Sequence, residues 1–146
     1  MKVLFVCRGN VARSQMAEAF FNKLTNGKHS AQSAGIEAMG SDGTDLNGML
    51  LKDRASSKHV IETMKRVGID ISNNFIKRLT PEMVEYADKI IVIVKPEIIP
   101  EFLRDNEKVI YWNITDPDEQ TIDFHEQTRD KIKKLVEEFV DSNSKN

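Results

Sequence analysis

The first apolar run, Val3 to Cys7, carries no polar alternation and predicts a short strand covered on both faces. Helical spacing follows at once, with Ala17, Phe20, Phe21 and Leu24 at i, i+3, i+4 and i+7. Asn26-Gly27 supplies a stop signal for that helix. A weaker strand candidate spans Ser30 to Ala34 and ends at Gly35. From Ile36 to Ser57 the chain is largely polar and holds Gly40, Gly43 and Gly48. It reads as a long loop with room for one helical turn at Met49-Leu50-Leu51. Loops longer than about 12–15 residues in compact domains are usually functional or disordered.

Val60, Ile61, Met64 and Val67 restore helical spacing, and Gly68 fits the position just past that helix. Thr80-Pro81 predicts an N-cap with proline at the first helical position, opening a helix through Tyr86. Ile90 to Val94 is β-branched throughout and predicts a central strand. Pro96 and Pro100 break the segment behind it, leaving a short helix at Glu101 to Arg104, and Val109 to Trp112 reads as a further strand. The last helix is expected from about Asp123 to Val140, with Ile132, Leu135, Val136, Phe139 and Val140 on one stripe. Strands separated by helices predict an α/β fold: a single domain over residues 1–140, with a four-stranded, parallel, open sheet and helices on both faces. Residues 141–146 form a polar C-terminal tail, expected to fray.

Composition changes this picture mainly by exclusion. Among 146 residues, 21 basic side chains stand against 23 acidic ones, a net charge of −2. That balance gives no bulk electrostatic reason to bind nucleic acid or an anionic membrane. No apolar run approaches the ~20 residues a membrane-spanning helix needs. The stretch from Met1 to Cys7 is too short, and lacks the cleavage site, for a signal peptide. One cysteine excludes an internal disulfide and a zinc site built on several thiolates, so a reducing, cytoplasmic setting is expected.

Ligands of open parallel sheets bind outside the carboxyl ends of the strands. The first such end is Cys7, followed by Arg8-Gly9-Asn10-Val11-Ala12-Arg13-Ser14 and then helix. A loop this short must curl, and successive N–H groups in a curl form an anion-binding nest reinforced by the helix N-terminus. Gly9 is expected to permit the turn. Arg13 can lay its fork on two oxygens of a tetrahedral oxyanion. Cys7 would lie at the base of the cradle, where positive potential favours a thiolate. Ser14 can donate to that thiolate, and Asn10 can pin the loop. The plain alternative is a small buried core cysteine. Asp116-Pro117 follows a strand and reaches the same sheet edge, where proline holds Asp116 extended as a candidate general acid. An Asp-Pro pair is also a common turn.

Cys7 to Glu18, CRGNVARSQMAE, resembles the phosphate-binding loop of the low-molecular-weight phosphatase family. That family includes the small protein tyrosine phosphatases and the related thioredoxin-coupled arsenate reductases. The similarity continues through Ser33-Ala34-Gly35, Gly68-Ile69-Asp70-Ile71, Leu79-Thr80, Ala87-Asp88-Lys89-Ile90-Ile91 and Asp116-Pro117, in family order over most of the chain. The resemblance implies a phosphotyrosine protein phosphatase I-like fold, with Cys7 as nucleophile, Arg13 as transition-state binder and Asp116 as general acid. It also implies that Asn10, Ser14 and Ser33 form a polar network supporting loop and thiolate.

Several positions depart from the family pattern. Ala12 stands where small tyrosine phosphatases often carry a second, protective cysteine. Asp118-Glu119-Gln120 replaces a tyrosine pair after Asp-Pro, and the 36–57 loop holds no Trp or Tyr. Asn73 or Asn74 replaces a histidine that commonly supports the phosphate loop. The two later cysteines of thioredoxin-coupled arsenate reductases are missing, so an intramolecular thiol relay is impossible. Phosphatase chemistry is thus better supported than phosphotyrosine specificity.

His29, His59 and His125 are scattered and predict no metal site. Lys131, Lys133 and Lys134 lie among Glu126, Glu137 and Glu138 and read as a solvated face. Trp112 and Phe20-Phe21 read as core. The expected activity is hydrolysis of phosphate monoesters through a phosphocysteine, on a phosphorylated small molecule or phosphoprotein, with no metal or organic cofactor implied. The rivals are an arsenate reductase completed by an external thiol, and a non-catalytic oxyanion-binding module. Acidic residues after Asp116 predict poor tolerance of acidic phosphopeptides.

Overall fold

Alternation inside β1 (Lys2–Cys7) organises the molecule: Val3, Phe5 and Cys7 face one side of the sheet, Leu4 and Val6 the other, all buried. The computed structural model describes residues 1–40 and 42–144. A strand covered on both faces has to be internal. β1 pairs in parallel with β2 (Ser30–Gly35) and β3 (Lys89–Val92), and β3 with β4 (Val109–Tyr111), giving the order β2-β1-β3-β4. The expected four-stranded parallel sheet is the one observed.

The face of Val3, Phe5 and Cys7 is covered by α1 (Arg13–Thr25), α2 (Lys58–Lys65) and α4 (Ile122–Ser144), through residues such as Phe21, Met64 and Val136. Phe5 meets Phe21 edge-on at 5.9 Å, and burying each such side chain contributes about 1.5–3 kcal/mol. On the opposite face Leu4, Val6, Ile90 and Val92 pack with α3 (Pro81–Tyr86) and the turns that carry Ile99 and Leu103. Thr80 caps α3 as expected, its hydroxyl accepting from the Met83 N–H at 3.3 Å with Pro81 behind it. Gly68, at φ +81°, closes the end of α2, with N–H groups of Gly68 and Ile69 returning to Lys65 and Met64.

Differences from the sequence pattern have local causes. β3 ends at Val92, not Val94, because the Ile93 carbonyl leaves the ladder to accept from Arg13. Leu24 completes the helical spacing of α1 but is 47% exposed, since the core ends at Phe21. The segment at 101–104 is a single 3₁₀ turn, Glu101–Leu103. α4 runs past Val140 to Ser144, with no glycine or proline to stop it and Asn143 donating back to the Phe139 carbonyl at 2.8 Å. Of the expected tail, residues 145 and 146 lie outside the described residues.

The long loop is stitched down along its length. Gly48 N–H donates to Ile76, Ile76 N–H to Met49, Leu51 N–H to Asn74 and Lys52 N–H to Ser72. Its helical turns are 3₁₀, at Leu51–Asp53 and Ala55–Ser57, later than the turn expected at Met49–Leu51. Buried Leu46 and Leu51 anchor it to the core beside α1, at the carboxyl edge of the sheet.

Candidate active site

Residues 8–12 link the carboxyl end of β1 to the N-terminus of α1. No backbone acceptor among the described residues takes the N–H groups of Gly9 to Ser14. They line a curl that ends on a helix with no acidic residue in its first turn, the arrangement that attracts an oxyanion. Cys7 lies beneath, 2% exposed. Its sulfur is 2.9 Å from the Ser14 hydroxyl oxygen. That oxygen already accepts from the Asn10 side-chain amide at 2.8 Å, so its single proton is directed at the sulfur.

The turn is made at Asn10, not at Gly9. Asn10 has φ +57°, while Gly9 is not in the left-handed region, and a Cβ added to Gly9 would meet nothing closer than Val11 Cγ2 at 4.0 Å. Asparagine tolerates this conformation better than most side chains. Its fixing partners come from outside the loop. Asn10 Oδ1 accepts from the Lys77 N–H at 2.8 Å and from Gln15 Nε2 at 3.1 Å. Gln15, fully buried, also donates to the Asn10 and Phe75 carbonyls and accepts from Asn74 Nδ2 at 3.2 Å. Of the two asparagines flagged by sequence, Asn74 is therefore the one that braces the loop, acting through Gln15. Gln15 itself was not legible as a site residue; its signal is a polar side chain between buried Ser14 and Met16.

Ser33 does not join this network. Its hydroxyl donates to Glu18 Oε1 at 2.6 Å, and Glu18 pairs with Lys77 at 3.6 Å. Register explains the correction: Ser33 stands opposite Phe5, and Gly35 opposite Cys7, leaving the Ser33 hydroxyl two strand positions from the sulfur. Gly35 is essential in another way. A Cβ there would fall 2.7 Å from the Gly9 carbonyl carbon and 2.8 Å from Asn10 N, so the loop rests directly on the end of β2.

Arg13, 6% exposed, commits NH1 to the carbonyls of Ile93 at 2.7 Å and Ile114 at 3.0 Å. Its NH2 lies 3.3 Å from Asp116 Oδ2. The guanidinium is thus aimed by backbone just beyond the ends of two strands, with NH2 toward Asp116 and Nε free of hydrogen bonds among the described residues. Asp116 is held from its other oxygen, which accepts from the Asp118 N–H at 3.0 Å. Cys7, Arg13 and Asp116, distant in sequence, line one narrow pocket of about 90 Å³ together with Arg8, Gly9, Val11 and Ala12. Asn10 and Ser14 lie behind it, fully buried.

The pocket opens beside a larger hollow of about 560 Å³, and Arg8, Glu37, Met39, Arg54, Ser56 and Asp118 belong to both. No phenylalanine, tyrosine or tryptophan among the described residues lines either. Arg8 pairs with Glu37 at 3.7 Å, and Arg78 with Asp45 at 2.6 Å. The histidines are less scattered than their sequence positions imply: the rings of His59 and His125 meet edge-on with centroids 5.2 Å apart.

Comparison with known proteins agrees with this geometry. A family model described as low molecular weight phosphotyrosine protein phosphatase matches residues 2–146. The chain is similar to arsenate reductase 2 of Staphylococcus haemolyticus, 30% identical over 138 residues that cover 94% of each protein. Among solved structures it resembles the arginine phosphatase YwlE, with a phosphorylated serine in a C7S mutant, at TM-score 0.80 and 26% identity, covering 100% of this chain and 97% of that one. It also resembles a low molecular weight protein tyrosine phosphatase from T. tengcongensis, at TM-score 0.82 and 25% identity, covering 97% and 99%. The fold, the cysteine loop and these likenesses agree: the chain belongs to the low molecular weight phosphotyrosine protein phosphatase family and is a cysteine-dependent phosphatase.

Proposed function

We propose that Cys7, Arg13 and Asp116 carry out phosphate-ester hydrolysis in two steps. The Cys7 thiolate, receiving the Ser14 proton as a hydrogen bond, attacks phosphorus; the S–P bond forms as the P–O bond to the leaving group breaks. The N–H groups of residues 8–14 and the Nε–NH2 edge of Arg13 hold the three equatorial oxygens, where transition-state charge is spread. A bound oxyanion competes with Asp116 for Arg13; the freed carboxylate takes up a proton brought in with the substrate monoanion and hands it to the leaving oxygen as the P–O bond breaks. In the second step Asp116 takes a proton from water, whose oxygen attacks phosphorus and breaks the S–P bond. No step calls on a metal or organic cofactor.

The observation that carries this reading is the hydrogen-bonded line from Asn10 through Ser14 to the Cys7 sulfur, at 2.8 and 2.9 Å. The test is steady-state hydrolysis of p-nitrophenyl phosphate by wild type, Cys7→Ser and Asp116→Ala. Turnover is expected to vanish in the first variant and to fall by about 10²–10⁴ in the second. Wild-type turnover in Cys7→Ser would discard the covalent mechanism.

The walls support a substrate class. A pocket of about 90 Å³ takes a tetrahedral oxyanion, and the charged hollow beside it takes what the oxyanion is attached to. Among the described residues that hollow has no aromatic wall, so a flat phenol gains little stacking in it, whereas Tyr111 and Trp112 line a second hollow that shares Arg8, Arg13 and Asp116 with the site. The carboxylates of Asp116 and Asp118 suit a leaving group that is cationic or rich in N–H donors. The likeness to an arginine phosphatase supports the same direction, toward a phosphorylated small molecule or protein side chain of that chemistry. Arsenate, isosteric with phosphate, fits the same cradle. Since the chain holds one cysteine, its reduction needs an outside thiol, and thiol-dependent arsenite release with negligible ester hydrolysis is the result that would favour that second reading. A thiol that must stay reduced also supports a cytoplasmic setting; among the described residues no helix is long and apolar enough to cross a membrane.

A further inference from the structure

His125 has no part in the chemistry above, yet it lines the same pocket as Cys7, Arg13 and Asp116. It sits in the first turns of α4 and is 3% exposed. Its Nδ1 lies 2.9 Å from the Thr121 carbonyl oxygen. A carbonyl only accepts, so Nδ1 carries a proton, and the tautomer this selects leaves Nε2 as the nitrogen with a lone pair. Nε2 bonds to nothing among the described residues. The buried side-chain polar atom left without a partner there is the Thr63 hydroxyl, so Nε2 is not sealed in the core. It reaches accessible space, and the pocket is such a space that His125 lines. His59 packs edge-on against the ring and holds its plane.

A nearly buried imidazole with one nitrogen fixed and the other facing the site is an acceptor waiting for a donor. We propose that His125 is a specificity-determining residue, whose Nε2 accepts a hydrogen bond from an N–H on the leaving group. It thereby favours phosphoramidates, phosphorylated amino or guanidino groups, over aryl esters that carry no donor next to the scissile bond. This rests on the phosphatase reading of the pocket. It adds to Asp116 and Asp118 a further acceptor lining the same pocket, set by α4 and independent of the Asp-Pro loop.

The test compares kcat/KM for phosphoramidate and phosphoarginine with that for p-nitrophenyl phosphate in wild type, His125→Phe and His125→Gln. Phenylalanine keeps the ring and removes both nitrogens, while the Thr121 carbonyl keeps the His125 backbone N–H at 3.1 Å. Glutamine returns an acceptor. The ratio of donor-bearing to aryl substrate is expected to fall about tenfold in His125→Phe, the loss of one hydrogen bond to substrate, and to recover at least in part in His125→Gln. An equal loss on both substrates in His125→Phe would assign the residue to structure alone and overturn the proposal. So would an unchanged ratio, or a wild type that turns over only the aryl ester. A wild type active on none of the three would remove the phosphatase reading itself. Should His125→Phe fail to fold, a wild-type ratio matched by His125→Gln and lost in His125→Leu decides in favour, and a ratio kept by His125→Leu decides against.

Discussion

The floor of the pocket and its wall are built by opposite means. The floor, residues 7–14, has its backbone bent by Asn10 at φ +57° and its polar side chains, Arg8 apart, buried and hydrogen-bonded. The wall, residues 36–57, is mostly exposed, and is held by backbone hydrogen bonds to residues 72–76, a few buried leucines and surface ion pairs. A floor of this kind presents fixed N–H groups to any tetrahedral oxyanion and does not distinguish phosphate from arsenate. The wall, the Asp-Pro loop and His125 of α4 border the space left for whatever else is bound. Relatives named for phosphatase and for arsenate reductase activity are therefore compatible with one floor, and differences in activity belong to the surroundings.

The largest effect is expected on the floor. Arg13→Lys keeps the charge but loses the planar fork and cannot bond the Ile93 and Ile114 carbonyls while serving the oxyanion. It should lower kcat on p-nitrophenyl phosphate by about 10²–10³. Near-normal kcat in this variant would mean that the N–H groups alone bind the transition state.

Next come two glycines that sequence alone does not tell apart. Gly35→Ala drives a Cβ to 2.7 Å from backbone of the loop, which cannot yield like a flexible side chain. A loss of about 1–3 kcal/mol in urea unfolding is expected, together with weaker phosphate binding. Gly9→Ala meets open space and no left-handed backbone, so stability should change by less than about 0.5 kcal/mol. The reverse order would show that the loop, not its seat on β2, governs stability.

This pair marks where the sequence stops being informative. The strand Val3–Cys7, the cysteine loop, helix α1 and the Thr80-Pro81 cap are legible because each depends on neighbours within a few residues. Asp116 is legible because proline follows it and a strand precedes it. Gly35, Gln15 and the true partner of Ser33 depend on sheet register and on backbone arriving from residues 74–77. His125 and His59 meet only because α2 and α4 pack side by side. The exposure of Leu24 has a similar origin: periodicity identifies a helical face but not where its covering ends.

The smallest expected effect concerns the wall. Asp45 has its carboxyl held below the ordinary value of 3.8, first by the hydrogen bond from Arg78 and then by the Asn47 N–H. A carboxylate depressed in the folded state contributes stability above its unfolded value, and loses it as pH falls through the lower folded value. The Asp45–Arg78 pair, exposed as it is, is screened by solvent and ties down one stretch of loop rather than the whole fold. Amide exchange in residues 44–49 should therefore quicken between pH 4 and the acid limit, while α1 and β1 stay protected. Asp45→Asn should remove that acid limb and leave exchange of the floor untouched, since the floor bonds the wall loop at Ile36 and Glu37, away from residue 45, and Asn10 and Gln15 bond no part of it. If floor and wall instead quickened together in the wild type, the two would form one cooperative unit, and specificity would not change without disturbing the oxyanion cradle.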